Sequence, residues 1–181
     1  MSVATLADLK RVKGKSELVD GRIVEYPPMV VGQAVVAGRV QRSLYDHAEA
    51  TGVGEVGTRS LGYVVPRLRS GRESFCAEAT YYTGPLPTDP WGFMPGPPTL
   101  AVEVRGPGED DPAAEQARAD KRADYFEAGT LVVWDVDPWD GWIDCYRVNT
   151  PDTPQRFGPS DTADAEPAVP GWRLGVDWLM K

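Results

Sequence analysis

Apolar residues recur at two distinct periods along this chain, and the change of period marks out its elements. Leu6, Leu9 and Val12 are spaced three apart and predict a short helix over 4–12. Glu17–Val19 and Arg22–Glu25 flank Asp20-Gly21, a pair that supplies the positive φ angles of a tight hairpin turn. From Gln33 to about Ala48, Val36, Ala37, Val40, Leu44 and Ala48 fall on one helical face. Short β-rich runs follow near 53–58, 61–66 and 74–83, then a loop over 84–98 that holds six prolines and three glycines. Thr99–Arg105 reads as a compact strand and 112–128 as an alanine-rich helix. Pro112 suits its first turn, the acids at 109–111 suit its N-terminal dipole, and Gly129 suits its stop. Leu131–Val136 and Trp142–Val148 read as paired strands, 150–168 as an exposed polar loop, and Trp172 to Trp178 as a final strand or edge cap. The pattern predicts one domain over 1–181, of α/β (α+β-type) class: a mixed sheet with helices packed on it.

Composition narrows the function. The 181 residues carry 19 Lys plus Arg against 27 Asp plus Glu, a net charge of −8, which excludes a protein that coats nucleic acid by overall charge. The charge is uneven: residues 1–75 hold 11 basic and 8 acidic side chains, residues 76–181 hold 8 and 19. Cys76 and Cys145 are too few for a disulfide framework and lack metal-ligand spacing, so both read as buried thiols in a reducing compartment. The N-terminal stretch has no apolar run of signal-peptide length, and no segment approaches the roughly 20 apolar residues of a membrane span. The expectation is a cytoplasmic protein with no membrane partner.

Three segments bring groups that could do chemistry. Glu78 is the lone acid of an otherwise apolar strand, and period two puts Glu103 and Arg105 on one face of another. Lys121 shares a helix face with Ala117 and Tyr125 and can therefore point inward; at a cleft edge it would add little to the core, so its loss is expected to spare folding. Two acids on neighbouring strands repel unless a cation sits between them. Mg²⁺, with Mn²⁺ as its substitute, takes oxygen ligands and suits a two-carboxylate site open to phosphate. The other reading is a Glu–Arg and Glu–Lys ion-pair network on a sheet edge, and pattern alone favours it. His47, the only histidine, reads as a surface or capping group, and Arg59, Arg67, Arg69 and Arg72 as a track along a phosphate backbone or, the commoner meaning, a solvated rim.

Glu17 to Pro28, the strand with Glu78, Ala101-Val102-Glu103-Val104-Arg105, Lys121 to Gly129, Val133 to Pro138 and Val169-Pro170-Gly171-Trp172 occur in that order. The ordered set resembles the Uma-type restriction-endonuclease family, a branch of the PD-(D/E)XK nuclease superfamily. The resemblance spans nearly the whole chain. It implies a restriction-endonuclease-like mixed sheet flanked by helices and metal-dependent hydrolysis of DNA phosphodiesters. Carried onto this sequence, Glu78 and Glu103 become metal ligands, Arg105 a phosphate holder, Lys121 the charge stabiliser and Glu17 a neighbouring acid. Three positions depart from the family pattern: Ala77-Glu78 stands for Pro-Asp, Arg105 for the lysine of the triplet, and Gly106-Pro107-Gly108 for Ser-Pro-Ser. A second class of function keeps the fold without the reaction, as a nucleic-acid-binding or protein-interaction module. A homodimer is expected from the apolar end of the chain (Trp172, Leu174, Trp178, Leu179, Met180), read as an exposed patch.

Overall fold

The structure, a computed structural model, describes residues 3–109 and 111–181. In chain order the elements are α1 (Leu6–Leu9), β1 (Ser16–Val19), β2 (Arg22–Glu25), α2 (Val31–Thr51), β3 (Glu55–Thr58), β4 (Tyr63–Val64), β5 (Ser74–Phe75), β6 (Ala79–Tyr82) and β7 (Met94–Pro95). They continue with β8 (Leu100–Val104), α3 (Pro112–Ala128), β9 (Val132–Asp137), β10 (Trp142–Arg147), β11 (Thr150–Phe157), β12 (Thr162–Asp164), β13 (Arg173–Gly175) and α4 (Val176–Met180). Six strands form the central sheet in the order β11-β10-β9-β8-β6-β3. Among the described residues only β8 and β9 run parallel in it, with Glu103 beside Asp135, because α3 carries the chain over between them.

Local chemistry accounts for the boundaries that matter. Asp20 and Gly21, at φ 48° and 68°, make the β1–β2 turn. Asp111 caps α3 by accepting from the Ala114 N–H at 2.8 Å, Pro112 occupies its first turn, and Gly129 ends it at φ 112°. Of the acids expected at that N-terminus, Asp110 lies outside the described residues.

Alternation along β8 sorts its side chains between two cores. Leu100, Val102 and Val104 pack with Val36, Val40 and Leu44 of α2, whereas Ala101 packs with Tyr125 of α3. Glu103 and Arg105 share the α3 face with Ala101. The α2 face is closed by the chain end, where Trp172 stacks on Trp134 with ring centroids 4.9 Å apart.

Three sequence expectations need correction. Residues 150–168 are not one exposed loop, since β11 pairs antiparallel with β10 and β12 with β13. β11 is an edge strand exposed along most of its length, so it shows no apolar alternation and tolerates Pro151 and Pro154. Within the 84–98 loop, Met94–Pro95 forms a short strand parallel to β4. The chain end is no continuous exposed patch: Trp172, Leu174 and Leu179 are buried and complete the core, and of the five only Trp178 is exposed. Among the described residues no helix is long and apolar enough to cross a membrane. Cys76 and Cys145 are free and buried.

Candidate active site

The sheet register and α3 bring four of the five predicted site residues into one buried cluster. Glu78 lies just ahead of β6, its N–H bonded to Val102 O at 3.1 Å, and this ties it beside Glu103 on β8. Lys121 comes from α3 and Glu17 from β1. Lys121 Nζ lies 2.8 Å from Glu17 Oε1 and 2.8 Å from Glu103 Oε1. Glu17 is fully buried and also accepts from Tyr26 Oη at 2.7 Å, the Cys76 N–H at 2.9 Å and the Arg72 guanidinium. Lys121 is therefore no cleft-edge side chain; 11% of it is exposed, because it fills the gap between the buried Glu17 and the largely covered Glu103.

The cation that sequence reasoning demanded between the two strand acids is Lys15. Its Nζ lies 2.6 Å from Glu78 Oε1 and 3.2 Å from Glu103 Oε2, with the side chain 4% exposed. Lys15 was assigned no role from the sequence. Its one signal was position: it stands two residues before Glu17 at the start of a strand, and so on the same side. Arg72 was assigned to a solvated rim, yet it is buried and reaches Asp124 at 2.8 Å as well as Glu17. Arg59 also leaves the rim and sits 3.9 Å from Glu78, while Arg67 stays half exposed against Asp20.

Arg105 shares the wall but not the cluster. It clasps Asp135, its Nε and Nη2 donating to the two carboxylate oxygens at 3.0 and 2.8 Å. Asp135, Arg118 and Arg122 were missed in the sequence. Asp135 hid in the buried strand β9, and the two arginines flank Lys121 on α3 at spacings that also describe a solvated helix face. Lys15, Glu78, Glu103 and Lys121 line a cleft of about 490 Å³ together with Arg59, Arg72, Arg105, Arg118, Arg122 and Asp135. Among the described residues seven basic and four acidic side chains line it, the reverse of the chain's net charge of −8.

Burial and pairing push the acids apart in acidity. Burial raises Glu103, but Lys121 and Lys15 outweigh it and hold this carboxyl well below the ordinary range. Burial, reinforced by Glu103, raises Glu78 to about 7 against the pull of Lys15. Burial lowers Lys15, yet the surrounding carboxylates, Glu103 first, keep it above the usual lysine value. For Glu78 the sign is clear. A carboxyl raised from 4.5 to about 7 adds stability that is full below 4.5 and lost as pH rises through about 7. The melting temperature of wild type relative to Glu78→Gln should therefore fall between about pH 5 and about pH 8. A constant difference across that window would show that Glu78 titrates normally.

The donor set can be tested for a divalent ion on these contacts. Two carboxylates from adjoining segments already converge on one positive charge, and the Lys15 ammonium marks where a cation is accepted. Among the described residues no cluster of three or more His, Cys, Asp or Glu is arranged as a metal site. Two carboxylates plus water suit Mg²⁺, which keeps several waters, and do not suit an all-protein cage.

A family model named Uma2 and described as “Putative restriction endonuclease” matches residues 4–177. The chain belongs to the Uma2 family. The fold is similar to the crystal structure of a “putative nuclease belonging to DUF820” from Anabaena variabilis, with a TM-score of 0.75 and 14% identity over 97% of each chain. At that identity the likeness concerns the fold. No curated protein matches the chain. Uma2 membership agrees with the family that the ordered motifs resemble, and the mixed sheet flanked by helices agrees with the fold that this resemblance implies.

Proposed function

We propose that this Uma2 chain is a Mg²⁺-dependent endonuclease that hydrolyses DNA phosphodiester bonds, with Glu78 and Glu103 as metal ligands and Mn²⁺ as a substitute ion. The observation that carries the reading is the convergence of these two carboxylates on one cation position, filled by Lys15 Nζ. Ammonium and metal compete for the same oxygens, so a divalent ion there would replace Lys15. When bound, such an ion polarises a phosphoryl oxygen and lowers the pKa of a water. Lys121 supplies a fixed positive charge beside the pair, where negative charge grows on phosphorus. Glu17 is a positioning residue, since it holds Lys121 through a 2.8 Å contact. The basic lining of the cleft supports an anionic substrate, because it focuses positive potential in a protein that is acidic elsewhere.

Nicking of supercoiled plasmid tests the proposal. Wild type should open the plasmid with Mg²⁺ or Mn²⁺, chelation should stop it, and Glu103→Ala should be inert. Cleavage that survives Glu103→Ala would belong to a contaminant and end the enzyme assignment. Retention of DNA without cleavage would leave a silent module on a nuclease fold.

A further inference from the structure

Beside the acid cluster, three guanidiniums from Arg105, Arg118 and Arg122 converge on one carboxylate, that of Glu115. Their N–O distances to it are 3.2, 3.0 and 3.6 Å. Behind them Asp135, 2% exposed, faces the same three at 2.8, 3.7 and 3.5 Å. Arg105 donates to both Asp135 oxygens, and among the described residues Arg118 Nε and Arg122 Nη1 are buried without a hydrogen-bond partner. Aromatic faces fix two of the three, Arg105 over Trp142 at 4.7 Å and Arg122 over Tyr146 at 4.1 Å. The back of this cup is buried at Asp135, its sides are mostly buried, and its front is closed by a side chain that is 46% exposed. Glu109, also about half exposed, touches Arg118 at 3.4 Å.

We propose that the arginine cup is a subsite for a phosphate of the bound strand other than the one cleaved, and that Glu115 occupies it as an internal stand-in for that phosphate. The substrate class rests on the nuclease reading, whereas the anion site rests on the cup itself. Phosphate oxygens match the rigid N–H forks of arginine, and guanidiniums held by Asp135 and aromatic rings need little reordering to receive them. A core network would have no use for a half-exposed carboxylate at the meeting point of three arginines. Here that carboxylate marks where an external anion is received. Arg118 and Arg122 stand one helical turn apart, on either side of Lys121, which puts the cup next to the reacting groups on the same wall of the cleft.

Binding of a labelled oligothymidylate, followed by fluorescence anisotropy in EDTA, tests the cup without any cleavage. Removing the stand-in by Glu115→Gln should tighten binding about threefold or more, and Arg122→Ala should weaken it about tenfold. Asp120→Asn makes the same charge change on an exposed position of the same helix and should leave binding near wild type. Inorganic phosphate should compete better against wild type than against Arg122→Ala. The proposal falls if Glu115→Gln binds no tighter than Asp120→Asn, or if Arg122→Ala binds like wild type. Nicking that persists alongside either result sinks the cup and keeps the nuclease. The expected binding pattern in a protein that never nicks keeps the cup and sinks the nuclease.

Discussion

Lys121→Ala should lose both nicking and a large part of the folding free energy. The ammonium is the shared counter-ion of Glu17 and Glu103, at 2.8 Å from each, and Glu17 is fully buried. Removing it leaves Glu17, Glu78 and Glu103 with Arg72 and Lys15 as their close cations, a charge deficit in a mostly buried cluster that costs about 3–5 kcal/mol. For a chain of this length that lowers the melting temperature by on the order of 10 °C. Nicking should fall by a further factor of about 10²–10³ through the lost charge beside the reacting phosphate, measured below the melting transition. Lys121→Arg keeps the charge but must fit a planar fork into a slot shaped for an ammonium, so stability should recover more than activity. A Lys121→Ala protein that melts like wild type would mean that Arg72 and Lys15 alone suffice to neutralise Glu17 and Glu103.

Arg72→Ala should destabilise the fold by a similar amount, about 3–5 kcal/mol in urea or thermal unfolding. This guanidinium joins Glu17 on β1 to Asp124 on α3, with 9% of the side chain exposed. Without it Asp124 loses its 2.8 Å partner, and Glu17 keeps Lys121 as its cation. Arg72→Lys should rescue poorly, because one ammonium replaces a fork that serves two acids at once. Arg67→Ala supplies the contrast. Its pair with Asp20 is also an arginine–carboxylate contact, at 2.6 Å, but both side chains are more than half exposed, so its loss should cost only about 0–1 kcal/mol. Equal losses at Arg67 and Arg72 would refute the assignment of Arg72 to a buried bridge.

Both results depend on burial, which sets the boundary between what could and could not be read from the chain. Arg67 and Arg72 look alike in the sequence, and each falls in a short glycine-punctuated run rich in arginine. The fold turns one outward to Asp20 and the other inward to Glu17. The same division applies to Glu115 and Asp120, two acids of one helix, of which the first meets three arginines and the second pairs with Gln116.

By itself the sequence determined whatever repeats over a few residues. The α2 face, the Asp20-Gly21 turn, the caps of α3 and the shared face of Glu103 and Arg105 follow from periods of 3.6 and 2 and from backbone preferences, all of which act locally. It also required some cation between the strand acids, since buried like charges cannot stand alone. Which cation it is depends on long-range packing. Lys15 lies 63 residues from Glu78 and 88 from Glu103, and no local period relates positions so far apart. The parallel register of β8 with β9 set Asp135 beside Glu103 and gave Arg105 its partner. The edge strand β11 escaped notice for the converse reason. A strand bonded on one side and wet along most of its length is held by backbone pairing with β10, and backbone hydrogen bonds leave no mark on the order of side chains.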